Sequence, residues 1–587
     1  MNSSKADISG IREVIKKIAL LNAVSYCGKA QSKPVLGRLF SERPELRAIA
    51  REVVALVDEI VQEVNSMSLE EQRDFLKILW PEALARGKEK ERIEEKSLPP
   101  LPNVEKYKRV VTRFAPNPDC VLHLGSARAI ILCYEYAKMY NGRFILRFED
   151  TDPRLKRSSI QFMDLIREDL EWLGCPPDEE YIQSDRVEIY YKYAEKLLEE
   201  GYAYVCTCKP GVFHKRVIVG EPCPCRDLPS EEHLHRWEAM LRGVYSEGEA
   251  VVRIKTDLKH PNPAIREWPA LRIIDVREHP HPRVGSKYRV WPLYNFACGI
   301  DDHLMGVTHI IRGKEHLTNQ ERQKYLYRYF GWEYPEAIHY GRLKIIGASL
   351  SKSKIVRGVR EGLYAGWDDP RLATFLALRR RGIRPEAIRR LIIDIGPRPA
   401  DITLSWENLY AYNRKIIDPI ANRYFFVWRP MKLIVKGVRK DFAVSIPLHP
   451  NNPEKGMRTL YVKSEGGVGN LLITSQDAEK LSPGDIVRLM ELFNVKIESV
   501  EKHQVISSFH SESYNEAKRL NASLIHWLPE DGGVPCSVVM PDNSIVSGLA
   551  EVSIKTVSAD EIIQFERFGF ARVDSVGEKI VAFFAHR

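Results

Sequence analysis

The chain has no long apolar run. Within its 587 residues, no stretch approaches the roughly eighteen consecutive apolar residues that a membrane-spanning helix requires. The segment from Met1 to Lys5 leads into no apolar stretch of the kind that a secretory signal contains. We therefore expect a cytoplasmic protein with no membrane partner.

The sequence also lacks internal repeats, extended low-complexity tracts and a strong charge of either sign. Its 88 basic and 79 acidic residues leave a formal net charge of +9, which permits nucleic-acid binding without requiring it. Because 587 residues exceed what a single hydrophobic core organises, we expect about three to five domains.

Cysteine is scarce and scattered, apart from one group of four. Cys206, Cys208, Cys223 and Cys225 form two Cys-x-Cys pairs. In a chain of this kind, thiols or metal ligands are expected rather than a disulfide framework. Four thiolates suit tetrahedral zinc, and a closed four-sulfur site is structural because no position remains for water or substrate. We predict structural Zn²⁺ here, with four free thiols as the alternative.

The first hundred residues have the pattern of a helical module. Apolar residues recur at three- and four-residue steps, namely Leu46, Ile49, Val53, Leu56, Ile60 and Val64. Ser68 and Glu71 have the spacing of a capping box and predict the start of a second helix. A dense charge run followed by prolines at 86–103 predicts a solvated helix tail and a linker, so residues 1–100 are a helical module and linker.

A nucleotide-binding layout follows the linker. Segments 107–115 and 143–150 have the composition of buried strands, and 126–142 has helical periodicity. Strand, helix and strand in this order predict half of a doubly wound sheet, which binds nucleotides at the carboxyl ends of its strands. In the turn, Gly125 allows close approach of a phosphate, Ser126 can cap the helix, and His123 can donate to phosphate oxygens. A surface or capping role remains the alternative for His123.

A second segment, ASLSKSK at 348–354, offers lysines to a triphosphate. By itself it is equally compatible with a solvated basic loop. The two segments together resemble the signature motifs of class I aminoacyl-tRNA synthetases: HLGS at 123–126 is similar to the HIGH motif, and 349–353 is similar to KMSKS. Ser126 stands where the HIGH motif has its second histidine. TRFAPNP, which precedes the first motif, resembles the glutamyl and glutaminyl branch.

The resemblance implies adenylyl transfer from ATP, which enters with Mg²⁺. It implies that His123, Ser126 and Lys352 are the catalytic residues. The residues implied in ATP binding are Pro116, Asn117, Pro118, His123, Gly125, Ser126, Ser351, Lys352 and Ser353. Because attack of a carboxylate on the α-phosphorus needs positioning and charge stabilisation, no side chain has to act as the nucleophile.

The same resemblance implies the amino-acid pocket. Arg312 occupies the place where glutamyl enzymes carry arginine and glutaminyl enzymes carry a small neutral residue, and a guanidinium grips a carboxylate better than an amide. Motif positions also imply Arg113, Glu149 and Tyr294 as glutamate-binding residues. The alternatives are an interstrand Arg113–Glu149 ion pair, a core aromatic for Tyr294, and a surface position for Arg312.

The resemblance extends from about residue 105 to the C-terminus and implies a multidomain chain with a Rossmann-type α/β class I core. The implied parts are a first half of that core at 101–203, an acceptor-end-binding insertion with a zinc knuckle at 204–290, the second half at 291–354, a helical stem-contact domain at 355–419, and two antiparallel anticodon-binding β-barrels at 420–587. Arginines at 361–392 add a basic helical face that can follow RNA phosphates.

These features predict an archaeal-type glutamyl enzyme whose partners are ATP, L-glutamate and tRNA, with a protein partner for the N-terminal module left open. Three alternatives remain: a glutaminyl enzyme, a non-catalytic tRNA-binding scaffold, and a small nucleotidyltransferase with a similar motif. The last would not need the C-terminal half. The sequence leaves open whether glutamine tRNA is also glutamylated.

Overall fold

The computed structural model describes residues 8–25, 29–80, 97–155, 158–348 and 350–587. The chain divides into two compact units, Met1–Ser97 and Leu98–Arg587. The predicted charge run at 86–96 and position 349 of the second motif lie outside the described residues. No helix in the described ranges combines the length and the apolar character that a bilayer crossing requires.

The first unit is helical, as predicted. Its α-helices are α1 (Ile8–Ser25), α2 (Ser32–Glu42), α3 (Ala50–Asn65) and α4 (Leu69–Leu79). The capping box before α4 is confirmed: the Ser68 hydroxyl accepts from the Glu71 amide, and the Ser68 amide donates to the Glu71 carboxylate at 2.7 Å. Each side chain therefore satisfies one of the first-turn amides that have no partner within the helix.

The predicted apolar face of this unit needs one correction. Leu46, Val53, Ile60 and Val64 are buried, but Ile49 is 43% exposed. Ile49 ends a 3-10 helix, Pro44–Ile49, and α3 begins only at the next residue. The tighter winding of a 3-10 helix breaks the 3.6-residue phase on which the prediction relied.

The second unit contains α-helices and strands in alternation, then mainly strands. Its helices are α5 (Leu124–Met139), α6 (Ile160–Trp172), α7 (Val187–Glu199), α8 (Pro210–Val219), α9 (Ser230–Arg242), α10 (Tyr294–Leu304), α11 (Leu317–Phe330), α12 (Lys352–Arg360), α13 (Phe375–Arg380), α14 (Pro385–Ile395), α15 (Trp406–Ile417), α16 (Ser475–Ala478) and α17 (Tyr514–Arg519).

The strands of this unit fall into a catalytic half and a C-terminal half. The first group is β1 (Val111–Phe114), β2 (Arg143–Phe148), β3 (Glu179–Ile182), β4 (Ala203–Cys206), β5 (Val251–Ile254), β6 (Pro269–Ile273), β7 (Val290–Pro292), β8 (His309–Gly313), β9 (Glu336–Tyr340), β10 (Leu343–Ile345) and β11 (Ile402–Leu404). The second group is β12 (Asn422–Tyr424), β13 (Phe426–Trp428), β14 (Pro430–Lys436), β15 (Phe442–Pro447), β16 (Met457–Val462), β17 (Ser464–Glu465), β18 (Val468–Thr474), β19 (Ile486–Leu489), β20 (Asn494–Val500), β21 (Gln504–Ser511), β22 (Ser523–Ile525), β23 (Leu528–Pro529), β24 (Gly533–Val539), β25 (Ile545–Glu551), β26 (Ile562–Phe565), β27 (Gly569–Ser575) and β28 (Ile580–His586).

Parallel strands form the platform of the site. β1, β2 and β3 pair in parallel, and β8 pairs in parallel with β9. The two groups meet where the Thr308 amide donates to the Val111 carbonyl at 3.0 Å, which places β8 beside β1. In the spatial order β3-β2-β1-β8-β9, strands that follow β1 in the chain lie on both of its sides, so the strand order switches between β1 and β8. Sheets of this kind bind ligands at such a switch point.

The helix after β1 starts earlier than predicted. It begins at Leu124 rather than at 126, and His123, not Ser126, is its N-cap. The His123 ring nitrogen Nδ1 accepts from the Gly125 amide at 3.0 Å, so the cap bond that the sequence analysis gave to Ser126 is made by the histidine. Ser126 lies in the first turn, two residues after the helix begins.

An antiparallel sheet, β4-β5-β6-β7, separates the two groups of parallel strands, and α8 and α9 lie between β4 and β5 in the chain. Beyond the second motif, α13, α14 and α15 follow the predicted helical pattern. Several arginines of this region are paired within the protein rather than free for RNA. Arg380 pairs with Asp368 at 2.6 Å, and the buried Arg381 donates to the Tyr410 hydroxyl at 2.6 Å.

The C-terminal strands are confirmed, but the predicted antiparallel barrels are not. Among the described residues, the strand pairings give an open seven-stranded path, β12-β26-β27-β28-β24-β25-β13, and an open eight-stranded path, β17-β18-β14-β21-β20-β19-β22. Both paths are mixed, because β12–β26, β24–β28, β14–β21 and β19–β22 pair in parallel. Parallel pairs require crossovers between strands distant in sequence, which local alternation of residues does not reveal.

Candidate active site and metal centre

The turn between β1 and α5 carries His123, whose ring can donate a hydrogen bond. Burial, followed by the nearby charge of Lys352, lowers the pKa of His123 to about 4, so its imidazole is neutral near pH 7. Because Nδ1 accepts from the Gly125 amide, the remaining ring proton lies on Nε2. His123 is thus held as a neutral donor beside the positive end of α5.

Gly125 is required by the approach of this histidine ring. A Cβ atom at position 125 would lie 2.8 Å from the Cε1 atom of His123 and 2.9 Å from its Nδ1 atom. The same Cβ would lie 3.6 Å from Cδ1 of Leu350. The turn of the first motif and the loop of the second motif are therefore neighbours in space, as the nucleotide-site hypothesis requires.

Lys352 reaches back to the first motif. Its Nζ donates to Asp119 Oδ1 at 2.9 Å and lies 3.4 Å from the Asn117 carbonyl oxygen. Lys352 is the first residue of α12, and Ser351 is the N-cap residue of that helix. Ser351 and Ser353 are exposed on either side of the half-buried lysine. The structure thus brings Lys352 to the segment that carries the predicted ATP-binding residues.

The PNP segment is anchored on both sides. The Pro116 carbonyl accepts from the Glu149 amide and the Pro118 carbonyl accepts from the Ser159 amide, each at 2.9 Å. The Asn117 side chain donates to Asp119 at 3.1 Å. These bonds fix the segment against the end of β2 and the start of α6.

Two of the predicted amino-acid-binding residues share a buried network but do not pair with each other. Arg113 Nε donates to Asp302 Oδ1 at 3.0 Å, and Arg147 Nη2 donates to Glu149 Oε1 at 3.0 Å. The alternative of an ordinary Arg113–Glu149 interstrand pair is therefore wrong. Burial would raise the pKa of Asp302, but Arg113 and Arg147 together hold it below its usual value.

Arg312 is not a surface residue. Its side chain is 5% exposed at the carboxyl half of β8. Nη2 donates to the Tyr334 hydroxyl at 3.0 Å and to Gln323 Oε1 at 3.2 Å. Within the part of the chain that the structure describes, Nε and Nη1 of Arg312 have no hydrogen-bond partner. A buried guanidinium with two unused donors calls for an anion.

Tyr294 lies within electrostatic range of the other three predicted pocket residues. Burial raises the pKa of Tyr294 well above its usual value; the charge of Glu149 acts in the same direction, and Arg312 and Arg113 oppose it. Its hydroxyl is 3.3 Å from Nδ1 of His316. The four predicted residues therefore lie near one another around the ends of β2, β1 and β8, and we call this group the candidate amino-acid pocket.

Sequence reasoning missed Arg147, Asp302 and Asp119. The sequence contains a periodicity that could have indicated Arg147 and Asp302. Arg147 and Glu149 are two residues apart in the predicted strand 143–150, a spacing that places both on one face. Tyr294, Cys298 and Asp302 recur every four residues on α10, a spacing that places all three on one side of the helix.

The four grouped cysteines converge as predicted. Cys206 ends β4, Cys208 precedes α8, and Cys223 and Cys225 follow that helix. The sulfur of Cys223 is 3.4 Å from those of Cys206 and Cys208, and the sulfur of Cys208 is 3.9 Å from that of Cys225. All four sulfurs lie within 4.8 Å of one another. Tetrahedral zinc at about 2.3 Å from each sulfur needs sulfurs about 3.8 Å apart, so the cluster has the required size.

Comparison with known proteins identifies the family of the catalytic and C-terminal regions. The catalytic domain of class I tRNA synthetases (E and Q) matches residues 109–419, and the anti-codon binding domains of the same group match residues 421–512 and 524–574. A solved glutamate tRNA ligase from Elizabethkingia meningosepticum is 24% identical, covers 54% of this chain and 71% of its own, and superposes with a TM-score of only 0.39.

Full-length relatives are more informative. Glutamate–tRNA ligases from Pyrococcus furiosus and Pyrococcus abyssi are each 55% identical over 581 residues, which span 98% of this chain and 100% of each relative. The glutamate–tRNA ligase of Methanopyrus kandleri is 49% identical over 579 residues, which span 98% of this chain and 99% of the relative. Agreement of this extent, together with the catalytic-domain match, shows that the chain belongs to the glutamate–tRNA ligases of the class I tRNA synthetase family.

Proposed function

We propose that the chain activates L-glutamate with ATP and transfers it to the terminal ribose of tRNA, using the pocket described above. The α-carboxylate of glutamate attacks the α-phosphorus, an acyl–phosphate bond forms, and pyrophosphate leaves. A ribose hydroxyl of the terminal adenosine then attacks the activated carbonyl, and AMP leaves. ATP enters as its magnesium complex.

The single observation that carries this proposal is the Arg312 side chain. Two of its donors are buried without a partner among the described residues, and they require an acceptor that the protein does not supply. A side-chain carboxylate has two acceptor oxygens and no donor, so whichever of these N–H groups faces the substrate finds an acceptor. A side-chain amide would turn one N–H group toward the guanidinium and leave a donor unsatisfied, so glutamine is disfavoured.

The balance of charges in the pocket also favours glutamate over glutamine. Arg113 and Arg147 are offset by Asp302 and Glu149, so this network has no net formal charge, and Arg312 adds one positive charge. L-Glutamate, with one ammonium and two carboxylates, carries one net negative charge, whereas glutamine carries none. Of these two amino acids, glutamate is the one that neutralises the pocket.

On the nucleotide side, His123, Ser126 and Lys352 are proposed to act on the triphosphate. Neutral His123 donates through Nε2, and the amides at the start of α5 attract the phosphates. Lys352 stabilises charge that develops on the phosphoryl oxygens as pyrophosphate leaves. The remaining proposed ATP contacts are Pro116, Asn117, Pro118, Gly125, Ser351 and Ser353. The hydrogen bonds of Lys352 to the PNP segment support this placement.

The test is aminoacylation of purified glutamate and glutamine tRNAs with labelled glutamate or labelled glutamine. We expect glutamate to be esterified to glutamate tRNA and glutamine to neither. Glutamate on both tRNAs would add glutamine tRNA to the acceptors. Glutamine transfer would contradict the pocket assignment, and absence of any charging would favour a non-catalytic tRNA-binding scaffold.

We also propose that separate regions of the chain carry out catalysis and contact different parts of the tRNA. Residues 101–203 and 291–354 form the Rossmann-type core, 204–290 bind the acceptor end, 355–419 contact the stem, and 420–587 read the anticodon. The matches to anti-codon binding domains support the last of these. The described part of the unit Met1–Ser97 supports a separate helical module, followed by a linker that ends near residue 100.

Cys206, Cys208, Cys223 and Cys225 are proposed to hold a structural zinc ion. The ion would tie the end of β4 to both ends of α8 and so stiffen the insertion. Arg236 Nη1 lies 3.4 Å from the Cys225 sulfur, where it can stabilise a thiolate. Four sulfurs leave no open coordination position, which makes the role architectural rather than catalytic.

Changing Cys223 to serine should remove this zinc. We expect bound zinc, measured by plasma mass spectrometry, to fall from about one ion per chain to near zero, because the site loses a thiolate near its centre. The KM for tRNA should rise while the KM for glutamate stays the same. Cys175→Ser, at a buried thiol outside the cluster, is the control and should retain the metal. Unchanged zinc content in Cys223→Ser would contradict the assignment.

A further inference from the structure

Asp302 occupies the centre of the buried charge network beneath the amino-acid pocket. Its side chain is 1% exposed. Oδ1 accepts from Arg113 Nε at 3.0 Å and from Arg147 Nη1 at 2.7 Å, and Oδ2 accepts from Arg113 Nη2 at 3.3 Å. The Asp302 carboxylate therefore binds two guanidinium groups. Arg113 contacts both carboxylate oxygens, and Arg147 contacts Oδ1.

The network continues from Asp302 to a second pocket residue. Arg147, which is fully buried, donates Nη2 to Glu149 Oε1 at 3.0 Å and to the Cys298 sulfur at 3.2 Å. Asp302 thus contacts Arg113 directly and reaches Glu149 through Arg147. Arg113 and Glu149 are two of the residues that the motif positions imply in glutamate binding.

Helix α10 places this carboxylate where it is needed. Tyr294, Cys298 and Asp302 follow one another at four-residue steps on the face that meets β1 and β2. The neighbouring Asp301 points elsewhere. It accepts from Tyr190, Arg186 and Gln183 at 2.6, 2.8 and 3.0 Å, and within the described ranges it has no hydrogen bond to a pocket residue.

The negative charge of Asp302 holds the two buried arginines, Arg113 and Arg147, side by side. Two guanidinium groups held a few ångströms apart in a buried site repel each other unless an anion lies between them. Without that anion, Arg113 would be drawn toward the substrate-binding Glu149 or toward solvent. Either movement would displace a donor or an acceptor that the substrate requires.

We propose that Asp302 is a positioning residue for glutamate: it sets the orientation of Arg113 directly and of Glu149 through Arg147. The inference rests on the proposed function, because it assumes that Arg113 and Glu149 contact the amino acid. It predicts a defect confined to glutamate, since within the described residues no hydrogen bond joins Asp302 or Arg147 to a residue assigned to ATP.

The test compares Asp302→Asn with Asp301→Asn in the full-length protein. The two variants remove the same charge from adjacent, equally buried positions of one helix. In aminoacylation with saturating tRNA, we expect Asp302→Asn to raise the KM for glutamate by about 10- to 100-fold with little change in the KM for ATP. Asp301→Asn should leave both KM values near those of the unmodified protein.

Equal effects of the two variants, or parallel increases in both KM values for Asp302→Asn, would show a merely structural role and overturn the inference. If Asp302→Asn does not fold, as judged by its melting temperature, Arg147→Met replaces it. That variant leaves Glu149 without its partner and should show the same glutamate-specific defect; a normal glutamate KM would overturn the proposal. Failure of the proposed function would appear separately, as an unmodified protein that charges no glutamate.

Discussion

Replacing Lys352 with alanine should lower the rate of glutamyl transfer to tRNA by about 10²–10³-fold while leaving the KM for glutamate unchanged. The reason is that the Nζ atom lies beside the PNP segment, 2.9 Å from Asp119, where it can meet charge that grows on the phosphates only in the transition state. An interaction made only in the transition state affects kcat rather than ground-state binding. Steady-state aminoacylation over a range of glutamate concentrations measures both kcat and the KM for glutamate.

Lys354→Ala provides the matched control. Lys354 lies two residues further along α12, is exposed and carries the same charge. We expect its kcat to stay within about twofold of the unmodified protein, as for most surface substitutions. A loss in Lys354→Ala equal to that in Lys352→Ala would mean that the loop attracts ATP by general charge, and the specific role of Lys352 would be wrong.

The site could be predicted from sequence to the extent that local motifs define it. His123, Gly125 and Lys352 stand at fixed positions within short segments, and each segment determines its own turn and helix start. Asp302 could not be found in this way, because its role depends on contacts with Arg113 and Arg147, both more than 150 residues away in the chain. Only the folded sheet brings these charges together.

The fold shows the same division between local and non-local information. The capping box at Ser68 and the strands near residues 430, 457 and 486 follow from neighbours in sequence, and the structure contains them. Sheet closure and strand direction depend on pairings such as β12 with β26, which join residues some 140 positions apart. The barrel prediction concerned those pairings and was not confirmed.

Replacing Arg312 with alanine should lower kcat/KM for glutamate by about 30- to 4,000-fold, the effect of losing a buried charged partner worth about 2–5 kcal/mol. Most of the loss should appear in the KM for glutamate, because the guanidinium binds the side-chain carboxylate in the ground state and the transition state alike. The KM for ATP should not change. Aminoacylation over a range of glutamate concentrations measures the loss, and Arg328→Ala, an exposed arginine on α11, is the control.

Arg312→Lys distinguishes recognition by shape from recognition by charge. Lysine keeps the positive charge but loses the planar fork and the two bonds to Tyr334 and Gln323. If the guanidinium geometry selects glutamate, the lysine variant should remain at least about tenfold impaired, since a lost charge-assisted bond is worth about 1.5–3 kcal/mol. Full activity in Arg312→Lys would show that charge alone suffices. Full activity in Arg312→Ala would remove Arg312 from the pocket, because a buried guanidinium that binds the substrate carboxylate cannot be lost without cost.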